Sequence, residues 1–166
     1  DGTPHTISID INEDGIDSSV YSETEPNDAL SSADDLLLVD GPPLGSGEAH
    51  RYYEVAGQTS SIDDNDYYRV WAEANEQVSV AVNGVTNASD GWQVQILDGS
   101  GNILNADWVK DQYNTPEGVI SGSTWVAIET AGDYYIKVIP YGAVSGDTYT
   151  IEAITSDYMI PRETEP

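Results

Sequence analysis

The stretch Asp66-Tyr-Tyr-Arg-Val-Trp71 is rich in β-branched and aromatic residues and repeats with a period of two. A period of two is typical of a β-strand that buries one face. The same signal recurs six more times after residue 50, in Arg51–Val55, Gln77–Val82, Trp92–Ile96, Thr124–Ile128, Tyr134–Val138 and Tyr149–Ala153. Asp98-Gly-Ser-Gly101 stands between two such runs and indicates a hairpin turn.

Helical signals are weak in this chain. The one candidate, Pro26–Leu38, is short and poorly patterned, so we expect a turn or two there at most. Eleven Tyr, four Trp and no Phe are joined by 15 Gly and 8 Pro, which is a composition typical of strands and turns. The sequence therefore predicts an all-β fold, an antiparallel β-sandwich of jelly-roll type with seven or eight short strands.

The charge balance restricts the partners. Thirty acidic residues against five basic ones give a formal net charge of -25. Nucleic-acid binding needs basic residues that displace counterions, so we expect no nucleic-acid partner. Docking on an anionic membrane is disfavoured for the same reason. A surface this acidic repels itself, which indicates neutralisation by divalent cations or by high salt.

The absence of cysteine leaves two interpretations open. A reducing cytosol would explain it, and so would a bacterial exoprotein that relies on metal instead of disulfides. The sequence contains neither a signal peptide nor an apolar run of the ~18 residues that a membrane span needs. We expect a monomeric segment of a larger secreted, modular bacterial protein.

A repeated sequence motif predicts a tandem arrangement of domains. Glu23-Thr-Glu-Pro26 recurs as Glu163-Thr-Glu-Pro166, and His5–Ile11 is similar to Tyr149–Ile154. The predicted parts are residues 1–20, the tail or linker of a preceding repeat; residues 21–160, one whole sandwich; and residues 161–166, the start of a following repeat.

Four blocks carry a resemblance to a known family. They are Glu23-Thr-Glu-Pro-Asn-Asp28, Asp63-Asp-Asn-Asp-Tyr-Tyr68, Ala131-Gly-Asp-Tyr-Tyr-Ile-Lys-Val138 and Gly146-Asp-Thr-Tyr-Thr-Ile151. In this order, over about residues 21–154, they resemble the bacterial pre-peptidase C-terminal domain. The resemblance implies a jelly-roll sandwich without catalytic residues, attached to secreted proteases or polysaccharide-degrading enzymes. The collagen-binding domains of clostridial collagenases are similar to the same family.

The resemblance also implies a calcium site. Its ligands would be Glu23, Glu25, Asn27, Asp28, Asp63 and Asp66, with a serine at either Ser60 or Ser61. The residues by themselves are compatible with this site, because Ca²⁺ takes six to eight oxygen ligands and Asp64 stands nearby as a further donor. The alternative is a solvated acidic linker whose Asp and Asn side chains cap turns.

A second acidic cluster lies near the beginning of the chain. Asp10, Asn12 and Asp14 occupy positions 1, 3 and 5 of an EF-hand-like loop, with Gly15 at position 6. Position 12 is Tyr21 instead of the expected Glu. A calcium loop in a β context and an ordinary Asx-turn both remain open.

Several aromatic residues are candidates for ligand binding. The family pattern places Tyr68 and Val70 inward, which sends Tyr67 and Trp71 to the opposite face. By the same parity Tyr134, Ile136 and Val138 point inward. Trp108 and Tyr113 fall in a stretch that resembles a loop. The preferred ligand-binding residues are Trp71, Trp108 and Tyr113, followed by Tyr67 and Trp125. The alternative is burial under loops or at domain junctions.

Catalytic interpretations have little support. His5 and His50 are the two histidines, and no Gly-x-Ser-x-Gly motif is present. A zinc site is not expected, because the chain has no Cys and too few His to provide the usual ligands. We therefore expect no enzymatic activity. The sequence favours a calcium-binding module that holds a covalently linked catalytic domain on an insoluble polymer, polysaccharide first and collagen-like protein second. The alternative is a calcium-stiffened spacer in a tandem extracellular array.

Overall fold

The computed structural model describes residues 21–39, 50–61, 64–85, 92–109, 122–141 and 145–157. Within these residues the chain forms ten strands and one 3₁₀ turn, Leu30–Ser32. The strands are β1 Tyr21–Ser22, β2 Asp34–Asp35, β3 His50–Gln58, β4 Asp66–Ala72, β5 Glu76–Asn83, β6 Trp92–Leu97, β7 Ile103–Val109, β8 Gly122–Ala127, β9 Gly132–Pro140 and β10 Thr148–Asp157.

Two five-stranded sheets pack face to face. The first sheet has the order β1-β3-β10-β5-β8 and the second sheet has the order β2-β4-β9-β6-β7. Between β3 and β10 the chain passes from one sheet to the other at each connection except the β6–β7 hairpin. This is the strand order of a jelly roll, which confirms the predicted fold class. All strand pairs are antiparallel except β1–β3 and β2–β4.

The strand count differs from the prediction. Ten strands are present among the described residues instead of seven or eight, because β1 and β2 contain two residues each and β7 gives almost no sequence signal. Six of the seven residues of β7 are exposed, since it is the edge strand of the second sheet. An edge strand need not alternate apolar and polar residues. Trp108 therefore lies on a strand and not in the predicted loop.

The predicted alternation determines which side chains fill the core. Tyr68 and Val70 point inward from β4, and Tyr134, Ile136 and Val138 point inward from β9, as expected. The largest fully buried side chains come from both sheets: Trp92, Tyr68, Tyr149, Ile96, Ile136 and Ile151. Trp92 and Tyr149 meet edge to face across the sandwich, with 5.2 Å between ring centroids.

The hairpin at Asp98–Gly101 joins β6 to β7 as predicted. The Asp98 carboxylate accepts the backbone N–H of Ser100 at 2.8 Å and of Asn102 at 2.9 Å. Gly101 has a φ of +85°, which a residue without a Cβ adopts most readily. The predicted helix candidate Pro26–Leu38 contains the single 3₁₀ turn, in agreement with the expectation of a turn or two.

Some predictions lie outside the described residues. They include both flanking repeats, at residues 1–20 and 161–166. In the part of the chain that the structure describes, no helix has the length and apolar character that crossing a bilayer would require.

Gly57 on β3 makes room for the ring of Tyr149. The two residues are register partners, and a Cβ at Gly57 would lie 2.2 Å from Cζ of Tyr149. The ring therefore lies directly over the glycine, in a position that no larger residue at 57 would permit. This placement directs the Tyr149 hydroxyl toward the acidic end of the sandwich.

We predict that Gly57→Ala lowers the free energy of unfolding by about 1–3 kcal/mol, because the ring of Tyr149 must move in a packed core. Gly132→Ala is the matched control, since a Cβ there meets nothing within 4 Å. Urea denaturation measures both. Equal stability of the two variants would contradict the close packing of Tyr149 on Gly57.

Candidate metal centre

The acidic segment 23–28 crosses from the first sheet to the second at one end of the sandwich. It continues from β1, and the backbone N–H of Glu23 donates to the carbonyl of Ala56 on β3 at 3.0 Å. Four residues later the carbonyl of Asn27 accepts the N–H of Tyr67 on β4 at 3.1 Å. The segment is thus fixed to both sheets by backbone hydrogen bonds, and its side chains lie between these two attachments.

Three carboxylates converge beside this segment. Glu25, Asp64 and Asp66 each offer one oxygen, and these oxygens all lie within 4.8 Å of one another. Glu25 is exposed, whereas Asp64 and Asp66 are buried. Asp64 precedes β4 and Asp66 is its first residue. The cluster could hold a metal ion, because hard divalent cations bind carboxylate oxygens at this kind of separation.

Asp66 is the most unusual group in the cluster. It is 0% exposed; its Oδ2 accepts the hydroxyl of Tyr149, and its Oδ1 is buried without a hydrogen-bond partner. Burial raises the pKa of Asp66 to about 8, and the negative charges of Glu23, Asp64 and Glu25 act in the same direction. A buried anion with an unsatisfied oxygen is costly unless a cation compensates it.

The neighbouring groups show the same lack of compensation. Asn27 is fully buried; its Nδ2 donates to Glu23 at 3.4 Å, while its Oδ1 has no partner. Burial, followed by the charges of Asp64, Glu23 and Asp28, raises the pKa of Glu25. A hydrogen bond with the carboxyl of Asp64 raises the pKa of Asp28 as well. The ionisation of Glu25, Asp28 and Asp66 is thus disfavoured, as expected for crowded carboxylates.

Glu23 connects the cluster to the core. Its carboxylate accepts the Tyr68 hydroxyl, the backbone N–H of Gln58 and, at 3.2 Å, the Tyr149 hydroxyl. The two tyrosine oxygens are 2.6 Å apart. Burial raises the pKa of both tyrosines, so they remain protonated donors. Because Tyr68 belongs to the second sheet and Tyr149 to the first, Glu23 joins the two sheets at this end.

The structure brings most of the predicted ligands together. Glu23, Glu25, Asn27, Asp28 and Asp66 share this end of the sandwich, whereas Asp63, Asp10, Asn12 and Asp14 lie outside the described residues. Asp64, which the sequence offered only as a further donor, belongs to the cluster of three. Asp64 has the same parity as Asp66 and the inward Tyr68, a signal that could have identified it. Its carboxylate accepts the backbone N–H of Ser60.

The predicted ligand-binding aromatics do not share one surface. Trp71, Trp108 and Trp125 are 47%, 41% and 50% exposed, so these three are not buried. Tyr67, Trp71 and Trp108 lie on the outer face of the second sheet, but Trp125 lies on β8 in the first sheet. Trp71 and Trp108 are roughly 25 Å apart by strand spacing and rise. Tyr113 lies outside the described residues.

Comparison with known proteins finds one family model that matches the central part of the chain. Residues 64–140 match the family model of the bacterial pre-peptidase C-terminal domain. This match confirms the resemblance found in the sequence, and it includes Asp64, Asp66 and the strands from β4 to β9. No curated protein matches the sequence.

Two solved structures are similar to this chain at low identity. PliG from Aeromonas hydrophila, a periplasmic inhibitor of g-type lysozyme, is 15% identical with a TM-score of 0.39, covering 74% of this chain and 97% of that one. A pilus protein of Bacillus endospore appendages is 8% identical with a TM-score of 0.37, covering 70% and 96%.

The raised pKa of Asp66 predicts a pH dependence in the absence of divalent cations. The unfolded chain releases this proton near pH 4, whereas the folded state holds it until about pH 8. The folded state therefore binds more protons between these values, and its stability falls as pH rises through that window. Urea denaturation in a chelating buffer at pH 5, 6, 7 and 8 measures this slope.

Asp66→Asn is the control, because it keeps an acceptor for Tyr149 and removes the ionisation. We expect this variant to lose stability less steeply with pH than the wild type. The remaining slope reports the other carboxylates. Identical slopes for the two proteins would contradict the assignment of the raised pKa to Asp66.

Proposed function

We propose, on the premise of the match of residues 64–140 to the bacterial pre-peptidase C-terminal domain, that this chain is a calcium-binding, non-catalytic accessory domain of a secreted modular protein. The family is one of small extracellular accessory domains, which supports the non-catalytic role. One observation carries the calcium assignment. The carboxyl of Asp66 is fully buried among other acids, with one oxygen unpartnered.

The donor set favours Ca²⁺ among the common cations. Glu25, Asp64 and Asp66 would supply carboxylate oxygens, and the unpartnered Oδ1 of Asn27 would supply an amide oxygen. Asp28 stands beside Asp64 as a further carboxylate. Ca²⁺ accepts six to eight such oxygens in flexible geometry, and water completes the shell at an exposed residue such as Glu25. Zn²⁺ prefers Cys and His ligands, and this chain contains no cysteine.

Bound calcium would act on the whole sandwich. It would neutralise acids that otherwise repel one another, and it would hold segment 23–28 against the residues that precede β4. Glu23 would transmit this order to both sheets through Tyr68 and Tyr149. The stabilisation follows from mass action, because the unfolded chain scatters the ligands that the folded chain assembles.

The proposed role of the domain concerns the larger protein to which it is linked. We propose that the domain anchors a linked catalytic domain on an insoluble polymer, with polysaccharide as the first choice and collagen-like protein as the second. Exposed Trp71, Trp108 and Trp125 support this proposal, since aromatic rings with polar neighbours suit stacking against sugar rings. The second candidate is a spacer whose stiffness depends on calcium, which the repeated Glu-Thr-Glu-Pro motif favours.

We predict that calcium at about one hundred times its Kd raises the Tm by roughly 6–10 °C. Asp64→Asn and Asp66→Asn should each remove most of this rise, because a buried ligand charge is lost. Differential scanning calorimetry with calcium and with a chelator measures the effect. Glu129→Gln is the control, since it removes an exposed carboxylate outside the cluster. An unchanged Tm in the wild type would end the calcium assignment.

A panel of insoluble polymers tests the anchoring role. We expect the wild-type domain in calcium buffer to be retained on at least one of cellulose, insoluble xylan, chitin and fibrillar collagen, as measured by depletion from solution. Chelation should reduce retention only as far as it unfolds the domain. A large calcium-dependent rise in Tm without retention on any polymer would favour the spacer.

A further inference from the structure

We propose that the outer face of the second sheet, between Arg69 on one strand and Trp108 on another, binds a neutral polysaccharide chain. This inference rests on the proposed function and assigns its binding surface. The surface, here called the outer platform, consists of outward-facing residues in three adjacent rows across β4, β9, β6 and β7. Its members are Tyr67, Arg69, Tyr135, Lys137, Ile139, Gln93, Gln95, Leu97, Ala106 and Trp108. Gln95 and Leu97 belong to these rows but are buried beneath their neighbours.

The register of the strands fixes these rows. One row runs from Arg69 through Tyr135 to Leu97, and the next from Tyr67 through Lys137 to Gln95. The third row runs from Ile139 through Gln93 to Trp108. The platform is about 15 Å wide across four strands and about 13 Å long, which gives an area on the order of 200 Å².

The absence of acidic side chains distinguishes this surface. No member of the outer platform, as defined from the described residues, is an Asp or a Glu, although the chain carries 30 of them. Asp35 borders the platform and is neutralised by Arg69, with Nε 2.5 Å from Oδ1. Lys137 makes no ion pair among the described residues and lies over the ring of Tyr67, 5.1 Å from its centroid. Exposed Asp133, two residues before Tyr135 on β9, borders the platform as well. The two basic side chains are thus balanced by two bordering acids, and the platform is locally close to neutral.

A hydrogen bond holds the polar groups of the platform in place before any ligand binds. Nε2 of Gln95 donates to Oε1 of Gln93 at 2.8 Å, which holds both amides in place. Gln95 is buried, whereas Gln93 is partly exposed, and the Nε2 hydrogens of Gln93 remain available as donors. At the end of the same row, Trp108 and Tyr141 lie 5.1 Å apart at an interplanar angle of 40°. Aromatic rings next to fixed amides suit a ligand with apolar ring faces and hydroxyl edges.

The charge of the chain selects against ionic polymers. An acidic polysaccharide would meet the field of a protein with a net charge of -25. A cationic polymer would be attracted by that field at long range, but on the platform itself it would meet Lys137. A stable protein partner buries about 800 Å² on each side, which is several times the area available here. A neutral glycan has neither disadvantage, and weak single-site binding is sufficient for anchored modules.

The outer face of the first sheet lacks these properties. Glu54 and Glu152 are register partners on that face and place two carboxylates near its centre. Trp125 lies on this face and has Ser79, a small residue, as its register partner. Trp125 is therefore a matched control, since it is as exposed as Trp108 but lies on the wrong face.

The test compares single variants on insoluble cellulose, insoluble xylan and chitin in calcium buffer, with dissociation constants taken from depletion isotherms. Trp108→Ala should weaken binding about tenfold or more, as expected when a central aromatic contact is removed. Trp125→Ala should stay within about twofold of the wild type. If Trp108→Ala fails to fold by its melting curve, Gln93→Ala replaces it, with Gln77→Ala on the first sheet as its control.

The outcomes separate this inference from the proposed function. Retention that is lost in Trp125→Ala but kept in Trp108→Ala overturns the platform and leaves polymer anchoring intact. Retention on fibrillar collagen but on none of the polysaccharides overturns the glycan assignment alone. No retention on any polymer overturns both the platform and the anchoring role. The calcium assignment is tested separately, by the calcium-dependent change in Tm.

Discussion

The buried carboxyl of Asp66 is the constraint on which the arrangement of this end of the sandwich depends. It lies on the inward face of the first residue of β4, where the alternation of the strand would otherwise place an apolar side chain. One oxygen is bonded to Tyr149, and the other has no partner. Because an ionised carboxyl is costly in an apolar interior, this group must either stay protonated or be compensated by a cation that its neighbours help to bind.

The surrounding residues follow from that requirement. Gly57 leaves room for the ring of Tyr149, which then reaches both Asp66 and Glu23. Segment 23–28 is attached to both sheets and brings Glu25 to the same place. The candidate metal centre is therefore part of the packing between the sheets. A cation there would act on stability, whereas the outer platform lies on the far side of β4 and can bind without changing the cluster.

The sequence predicted much of the fold because strand periodicity is a local property. Tyr68, Val70, Ile136 and Val138 were assigned to the buried face correctly, since neighbouring side chains in a strand must point to opposite sides. β7 was not predicted because nearly all residues of this edge strand are exposed. A strand without a buried face does not need to alternate apolar and polar residues. The short parallel pairs of β1 and β2 depend on partners distant in sequence, which no local pattern records.

The sequence by itself determined the all-β class, the inward and outward parity of the strands, and the acidic segments that contain the candidate metal ligands. Tertiary structure alone decided that Asp64 joins Glu25 and Asp66, and that Trp108 and Trp125 stand on opposite sheets. The physical reason is that parity and composition act over a few residues. Convergence of carboxylates, and the choice of face for each aromatic side chain, depend on which strands become neighbours when the two sheets pack.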